Sequence, residues 1–179
     1  MSIKVEKWEE LSRETVFHNK YGRDIEKVVY KLPDGTEDSF CIKKEKSVIC
    51  VLALTKDKKV ILAKQFRPGP NEIILELPGG GIEKGEILEP AMERELLEET
   101  GYRGSAKLIA ETFDCAYSTR RRHCFVATDC EKVAEPQNTS SEICETVLLT
   151  LSEFRDLLRN GKNTDVEVGY IGLDYLGLL

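Results

Sequence analysis

The first half of the chain is a succession of short apolar and alternating segments separated by turn residues. Residues 26–30 and 39–43 alternate in character around Pro33, Asp34 and Gly35, and this predicts an N-terminal β-hairpin. Residues 47–55 and 59–66 are denser in apolar and β-branched side chains and flank the polar turn Lys56-Asp57-Lys58, which predicts a second hairpin buried on at least one face. A short strand over 72–77 stops at Pro78, and Gly79-Gly80-Gly81 follows with a backbone free to take unusual dihedrals. The first helix begins near Glu89, with Pro90 suited to its first position and Gly101 to the left-handed site past its end; Met92 and Leu96 mark its apolar side. Strands over 106–112 and 122–127, a polar loop near 135–141 and a strand over 146–151 come next. Ser152 is placed to cap a helix running through Arg159, and a last helix lies between Asp165 and Leu176, weakened by Gly169 and Gly172. No repeat, low-complexity tract or linker breaks this series, so a single domain over residues 1–179 is expected, with residues 1–45 as a β extension.

Composition narrows the class. A chain of 179 residues, 41% hydrophobic and 32% charged, has the make-up of a globular domain. Apolar runs such as 48–54 are far too short to cross a bilayer, and Lys4, Lys7, Glu9 and Glu10 occupy the N-terminus without an apolar stretch, so a cytoplasmic address and no membrane partner are expected. The six cysteines (Cys41, Cys50, Cys115, Cys124, Cys130, Cys144) form no C-x-x-C pair and read as reduced, small core residues. A net charge of −6 argues against a nucleic-acid binder, but it is compatible with a small phosphorylated substrate once divalent ions neutralise clustered carboxylates.

Such a cluster is present. Glu95, Glu98 and Glu99 are three and four residues apart, which puts three carboxylates within roughly a 100° sector of one helix face. Like charges at these spacings oppose the helix by about 0.2–0.5 kcal/mol per pair, and Arg94 offsets part of this through its i,i+4 relation to Glu98. A solvated acidic face is the ordinary outcome of such a run, and the flanking residues decide otherwise. Gly80, five residues, Glu86, seven residues and then Arg94-Glu95-Leu96-Leu97-Glu98-Glu99-Thr100-Gly101-Tyr102 resembles the Nudix box, G-x5-E-x7-R-E-U-x-E-E-x-G-U, with U a bulky aliphatic residue. Tyr102 at the last aliphatic position is the one departure.

The resemblance implies an α+β Nudix fold, an α/β/α sandwich around a mixed β-sheet. It implies that Glu95 and Glu99 are the principal ligands of Mg²⁺, with Mn²⁺ a possible substitute. Glu98 is then a further ligand or an outer group, and the Gly79 carbonyl points at metal. Arg94 would orient the carboxylates, and Glu86 would support the loop. The residue types agree, since a hard cation wants oxygen donors and keeps several waters. Metal would acidify a bound water, and a general base would complete its activation to break a P–O–P bridge. Glu142 is the first loop candidate for that base and Glu145 the next, with Glu95 the alternative inside the box.

Outside the box, Gln65-Phe66-Arg67 and Glu76-Leu77-Pro78-Gly79-Gly80 resemble segments of ADP-ribose pyrophosphatases and related nucleoside-diphosphate-sugar hydrolases. That likeness makes Arg67, with Glu76, the first substrate-binding candidate. It also implies a homodimer in which the N-terminal strands reach across to the partner. Tyr117 stands where many ADP-ribose hydrolases have proline, and a tyrosine there is associated with dinucleoside-polyphosphate hydrolases. It is either a base-stacking ring or a half-buried loop aromatic. In the basic run Arg120-Arg121-Arg122-His123, strand alternation turns Arg120 and Arg122 to one side, towards phosphate or ribose or simply towards solvent. The leading function is hydrolysis of ADP-ribose or a related nucleoside diphosphate sugar; dinucleoside polyphosphate or nucleoside triphosphate hydrolysis is the second. A catalytically silent nucleotide sensor is the third, and the intact box argues against it.

Overall fold

The computed structural model describes residues 4–140 and 142–179. Residues 1–3 of the expected extension and Ser141, at the end of the expected polar loop, lie outside the described residues. The chain forms two compact units, one of residues 1–47 with 113–121 and one of residues 48–112 with 122–179.

The first unit is a three-stranded antiparallel sheet in the order β1-β2-β3, made of β1 (Glu9–Phe17), β2 (Arg23–Lys31) and β3 (Glu37–Glu45). The expected hairpin is β2–β3, and its turn is closed by Leu32 N–H on the Thr36 carbonyl at 2.7 Å, with Gly35 at φ 86°. Strand β1 is an addition to the sequence reading. All nine of its residues are exposed, so no core imposes the period-two pattern that would have marked it. Inside the sheet, Arg13 and Lys44 both pair with the buried Glu26.

The second unit holds a six-stranded mixed sheet containing β4 (Val48–Thr55), β5 (Val60–Arg67), β6 (Glu72–Glu76), β7 (Tyr102–Phe113) and β8 (Arg121–Lys132) in the order β6-β5-β4-β8-β7, with β9 (Glu145–Leu149) on β5. Strand β4 runs parallel to β8 and antiparallel to β5. Its hairpin partner takes up only two of its positions, Ala53 and Leu54. Farther back, the edge of β4 is occupied by the segment after β6, because Val51 N–H bonds the Pro78 carbonyl and Ile49 N–H the Gly80 carbonyl, each at 2.9 Å.

Alternation along β4 explains why it reads as continuously apolar. Cys50, Leu52 and Leu54 pack with Phe154, Leu158, Val168 and Leu173 of α2 (Leu151–Asn160) and α3 (Val166–Tyr175). Ile49, Val51 and Ala53 face Ala91, Met92 and Leu96 of α1 (Leu88–Thr100) on the opposite side. A strand buried on both faces needs apolar residues at every position. The result is the expected α/β/α sandwich.

Several local readings change. Helix α1 starts at Leu88, so Pro90 is its third residue, still within the turn whose N–H groups have no helical partner. Helix α2 is capped by Thr150 rather than Ser152: the Thr150 hydroxyl accepts from Glu153 N–H, while the Glu153 carboxylate accepts from Thr150 N–H at 2.8 Å. Gly169 and Gly172 sit inside α3 because a Cβ there would lie 2.5 Å from Leu158 and 2.6 Å from Leu52. Four cysteines are buried as expected, whereas Cys41 and Cys115 are exposed. No helix of the described residues is long and apolar enough to cross a membrane.

Gly101 ends α1 at φ 76° and is tied to the far end of β8, its carbonyl accepting from Val133 and Ala134 N–H at 2.8 and 3.1 Å. A Cβ on Gly101 would meet the Ala134 carbonyl oxygen at 2.0 Å. Gly101→Ala therefore combines left-handed strain with a backbone clash and is expected to lower unfolding free energy by about 2 kcal/mol or more. Urea denaturation measures it, and a loss under about 0.5 kcal/mol would contradict this packing.

Candidate active site

Helix α1 delivers the carboxylates, and the loop before it delivers their partners. Arg94 stands at the centre. Its Nε and one terminal nitrogen donate to the two Glu86 oxygens at 2.9 and 3.0 Å, and the latter nitrogen also donates to the Gly81 carbonyl at 3.1 Å. Its other terminal nitrogen donates to Glu95 at 2.8 Å and Glu98 at 3.3 Å. Glu86 also accepts Glu83 N–H at 2.9 Å, which closes the loop on itself. The expected pairing of Arg94 with Glu98 is thus only the weakest of its four attachments.

Glu99 turns the other way. It accepts Gly79 N–H at 2.9 Å and lies 3.5 Å from the Gln65 side-chain nitrogen. Burial, joined by the negative charge of Glu95, pushes the Glu99 carboxyl up to about 8 despite the Gly79 bond. Burial also raises Glu95, with Arg94 opposing and the charges of Glu98 and Glu142 reinforcing. Glu98 is the more open of the group, with 40% of its side chain exposed.

Among the described residues, no three acidic, histidine or cysteine side chains already converge as a finished metal cluster. The donor chemistry nevertheless fits a hard divalent cation. Two partly buried carboxylates on one helix face repel each other and are held above their ordinary range, and an added positive charge relieves both terms. Gly80 keeps this face open, since a Cβ there would lie 2.5 Å from the Glu95 carboxylate.

The loop and strand candidates divide. Glu142 is exposed on the loop before β9, its N–H on the Thr139 hydroxyl at 3.1 Å, and it is near enough to raise Glu95. Glu145 lies on β9 and is paired with Lys64 at 2.8 Å. Arg67 is bound through Nε to the buried Glu76, whose other oxygen accepts from the Thr164 hydroxyl.

Tyr117 and Arg120 belong to the other compact unit. Tyr117 is 54% exposed and stacks on Phe40 with ring centroids 6.4 Å apart, and Arg120 pairs with Glu45 at 2.7 Å. Arg120 lies just before β8, which begins at Arg121, and Arg122 within that strand pairs with Glu167 and Asp165. Strand alternation does not extend to Arg120, which precedes β8.

Gln65 is a site residue that the sequence reading passes over. Its signal is its place two positions before Arg67, which puts both on the same face of β5, and the structure buries it. Thr164 carries no comparable mark.

The sequence profile of the NUDIX domain matches residues 43–168. The chain belongs to the Nudix family. It is 31% identical over 175 residues to an ADP-ribose pyrophosphatase of Bacillus subtilis (strain 168), covering 94% of this chain and 91% of that protein. It is 30% identical to an ADP-ribose pyrophosphatase of Saccharomyces cerevisiae, over 74% of this chain and 65% of the yeast protein. A crystal structure of an ADP compounds hydrolase superposes with a TM-score of 0.81 at 20% identity, covering 99% of this chain and 100% of the other, which supports the fold. A Nudix hydrolase acts on pyrophosphate bonds, and Glu95, Glu98 and Glu99 of α1 stand at the positions that resemble that family's box, inside the matched region.

The Gly80 position gives a local test. Gly80→Ala pushes against the movable end of Glu95, so stability is expected to change by less than about 1 kcal/mol. Turnover of a diphosphate substrate is expected to fall by about 10-fold or more, because the displaced carboxylate no longer holds its geometry. Unchanged turnover in the folded variant would remove Glu95 from the reaction.

Proposed function

We propose that this Nudix hydrolase cleaves the diphosphate of ADP-ribose or a related nucleoside diphosphate sugar with Mg²⁺, releasing a nucleoside monophosphate and a sugar phosphate. The observation that carries the hydrolytic part is the arrangement of α1, with Arg94 drawing Glu95 and Glu98 together while Glu99 is turned onto Gly79. The substrate class is supported by the near full-length similarity to an ADP-ribose pyrophosphatase.

Glu95, Glu98, Glu99 and the Gly79 carbonyl would hold the cation. When bound, it draws charge from the bridging phosphates and acidifies water. The residues of the chain supply the rest. Arg94 fixes the rotamers of Glu95 and Glu98, and Glu86 fixes Arg94. Arg67 donates to Glu76 through Nε, which leaves its two terminal nitrogens for a phosphate oxygen pair. Glu142 takes the proton of the attacking water. Unlike Glu145, whose carboxylate is paired with Lys64, it sits on an exposed loop near enough for its charge to act on Glu95.

The exposed strand β1, with Leu11, Val16 and Phe17 open to solvent, supports a homodimer formed through the N-terminal extension of a single Nudix domain. A cytoplasmic enzyme acting on a small molecule, without nucleic-acid or membrane partners, fits the acidic composition.

The deciding experiment is product analysis after incubation with Mg²⁺ and ADP-ribose, other nucleotide sugars, dinucleoside polyphosphates or nucleoside triphosphates. AMP and ribose 5-phosphate from ADP-ribose are expected as the dominant products. Preference for a dinucleoside polyphosphate would reassign the substrate, and inertness towards the whole panel would make the domain a sensor. Within the active enzyme, Glu142→Gln is expected to lower kcat by about 10²–10⁴-fold, the range of general-base catalysis. Glu145→Gln is expected to stay within a few-fold, and the reverse order would exchange their roles.

A further inference from the structure

Arg67 is attached to the protein at one point, and that point is itself supported from a distant segment. Glu76, at the end of β6, is 4% exposed. One of its oxygens accepts from Arg67 Nε, and the other accepts from the hydroxyl of Thr164, 88 residues along the chain. A buried carboxylate needs donors on both oxygens, or it loses the orientation in which it binds its cation.

Thr164 lies immediately before α3, and the way that helix starts is unusual. Its N-cap residue, Asp165, makes no side-chain cap bond. The Asp165 carboxylate is buried and is directed sideways, 3.1 Å from the Thr164 hydroxyl and 3.9 Å from Arg122 of β8, which also pairs with Glu167. The helix thus gives up its ordinary cap, and the loop before it is fastened between β6 and β8. A hydroxyl has one proton for two acceptors. It is given to Glu76, the nearer carboxylate, and Asp165 with Arg122 fixes the loop on the other side.

We infer that Thr164 is a positioning residue for Arg67, acting through Glu76 to aim the guanidinium at the substrate's phosphate. The inference rests on the phosphate-binding role proposed above for Arg67. Thr164 itself is exposed and lies outside the helix, so its substitution leaves the core untouched.

The test is a comparison of Thr164→Val, Thr164→Ser, Arg67→Ala and the Thr164→Val/Arg67→Ala double variant, assayed with ADP-ribose and Mg²⁺. Thr164→Val is expected to raise KM by about 3- to 10-fold with kcat within about twofold, the signature of lost substrate binding. Thr164→Ser, which keeps the hydroxyl, is expected to match the parent. In the Arg67→Ala background, Thr164→Val is expected to add nothing, because the residue it supports is gone. A Thr164→Val effect on KM of equal size with and without Arg67, or no effect at all, would overturn the inference.

A substrate-independent readout separates this from the choice of substrate. In ¹⁵N-resolved NMR spectra, the Arg67 Nε–H signal, assigned by its loss in Arg67→Lys, is expected to be sharp and protected in the parent and in Thr164→Ser. It is expected to broaden or shift in Thr164→Val. An unchanged signal in Thr164→Val would overturn the positioning role. A parent protein inert towards ADP-ribose but showing the expected NMR change would instead overturn the substrate reading alone.

Discussion

The site depends on how closely the backbone at Gly79 and Gly80 can approach its neighbours. Pro78 and Gly80 carbonyls accept from β4, which lays this segment along a buried strand. A Cβ on Gly79 would stand 2.3 Å from the Ile49 carbonyl, so only glycine allows the approach. Because the segment lies flat there, Gly79 N–H reaches Glu99 and the surface of Gly80 leaves room for Glu95. The apolar faces of β4 and α1 provide the rigid support, with Met92 and Leu96 holding the helix at a fixed height over the sheet.

The same geometry sets the electrostatics. Glu95 and Glu99 are kept close to each other and away from full hydration, and both are pushed towards the protonated form. Arg94 serves Glu86, Glu95 and Glu98, but it makes no contact with Glu99 among the described hydrogen bonds. The carboxylate face is therefore under-neutralised on the Gly79 side. This is the arrangement expected of a polypeptide shaped around a cation that it does not itself supply.

How much of this was legible in the sequence follows from the range of each interaction. Helix α1 was readable because its period, its glycine stop and its glutamate spacing all lie within 23 residues. Glu86 is marked by the box spacing alone, and the loop returns it to Arg94, eight residues later. Strand β1 was illegible because its side chains meet no core, and Thr150 displaced Ser152 as a cap because the reciprocal bond with Glu153 favours that register. The Arg67, Glu76 and Thr164 chain joins positions far apart in sequence, and Thr164 has no local feature that foretells it. Tyr117 and Arg120 were attractive as isolated residue types, whereas their partners, Phe40 and Glu45, are fixed by the pairing of β3 with the 113–121 segment.

The central claim is that Glu99 sits in an incomplete cation site, and thermal unfolding with and without metal tests it most directly. Glu99→Gln keeps the side chain's size and an acceptor for Gly79 while removing the buried ionisable carboxyl and the cost of holding it above its ordinary range. In EDTA it is expected to unfold at or a few degrees above the parent's Tm, since a one-kcal/mol gain moves a domain of this size by about 2–4 °C. Added Mg²⁺ is expected to raise the Tm of the parent by mass action and to leave Glu99→Gln nearly unmoved. A variant markedly less stable than the parent in EDTA, or an equal Mg²⁺-induced rise in both proteins, would contradict the account.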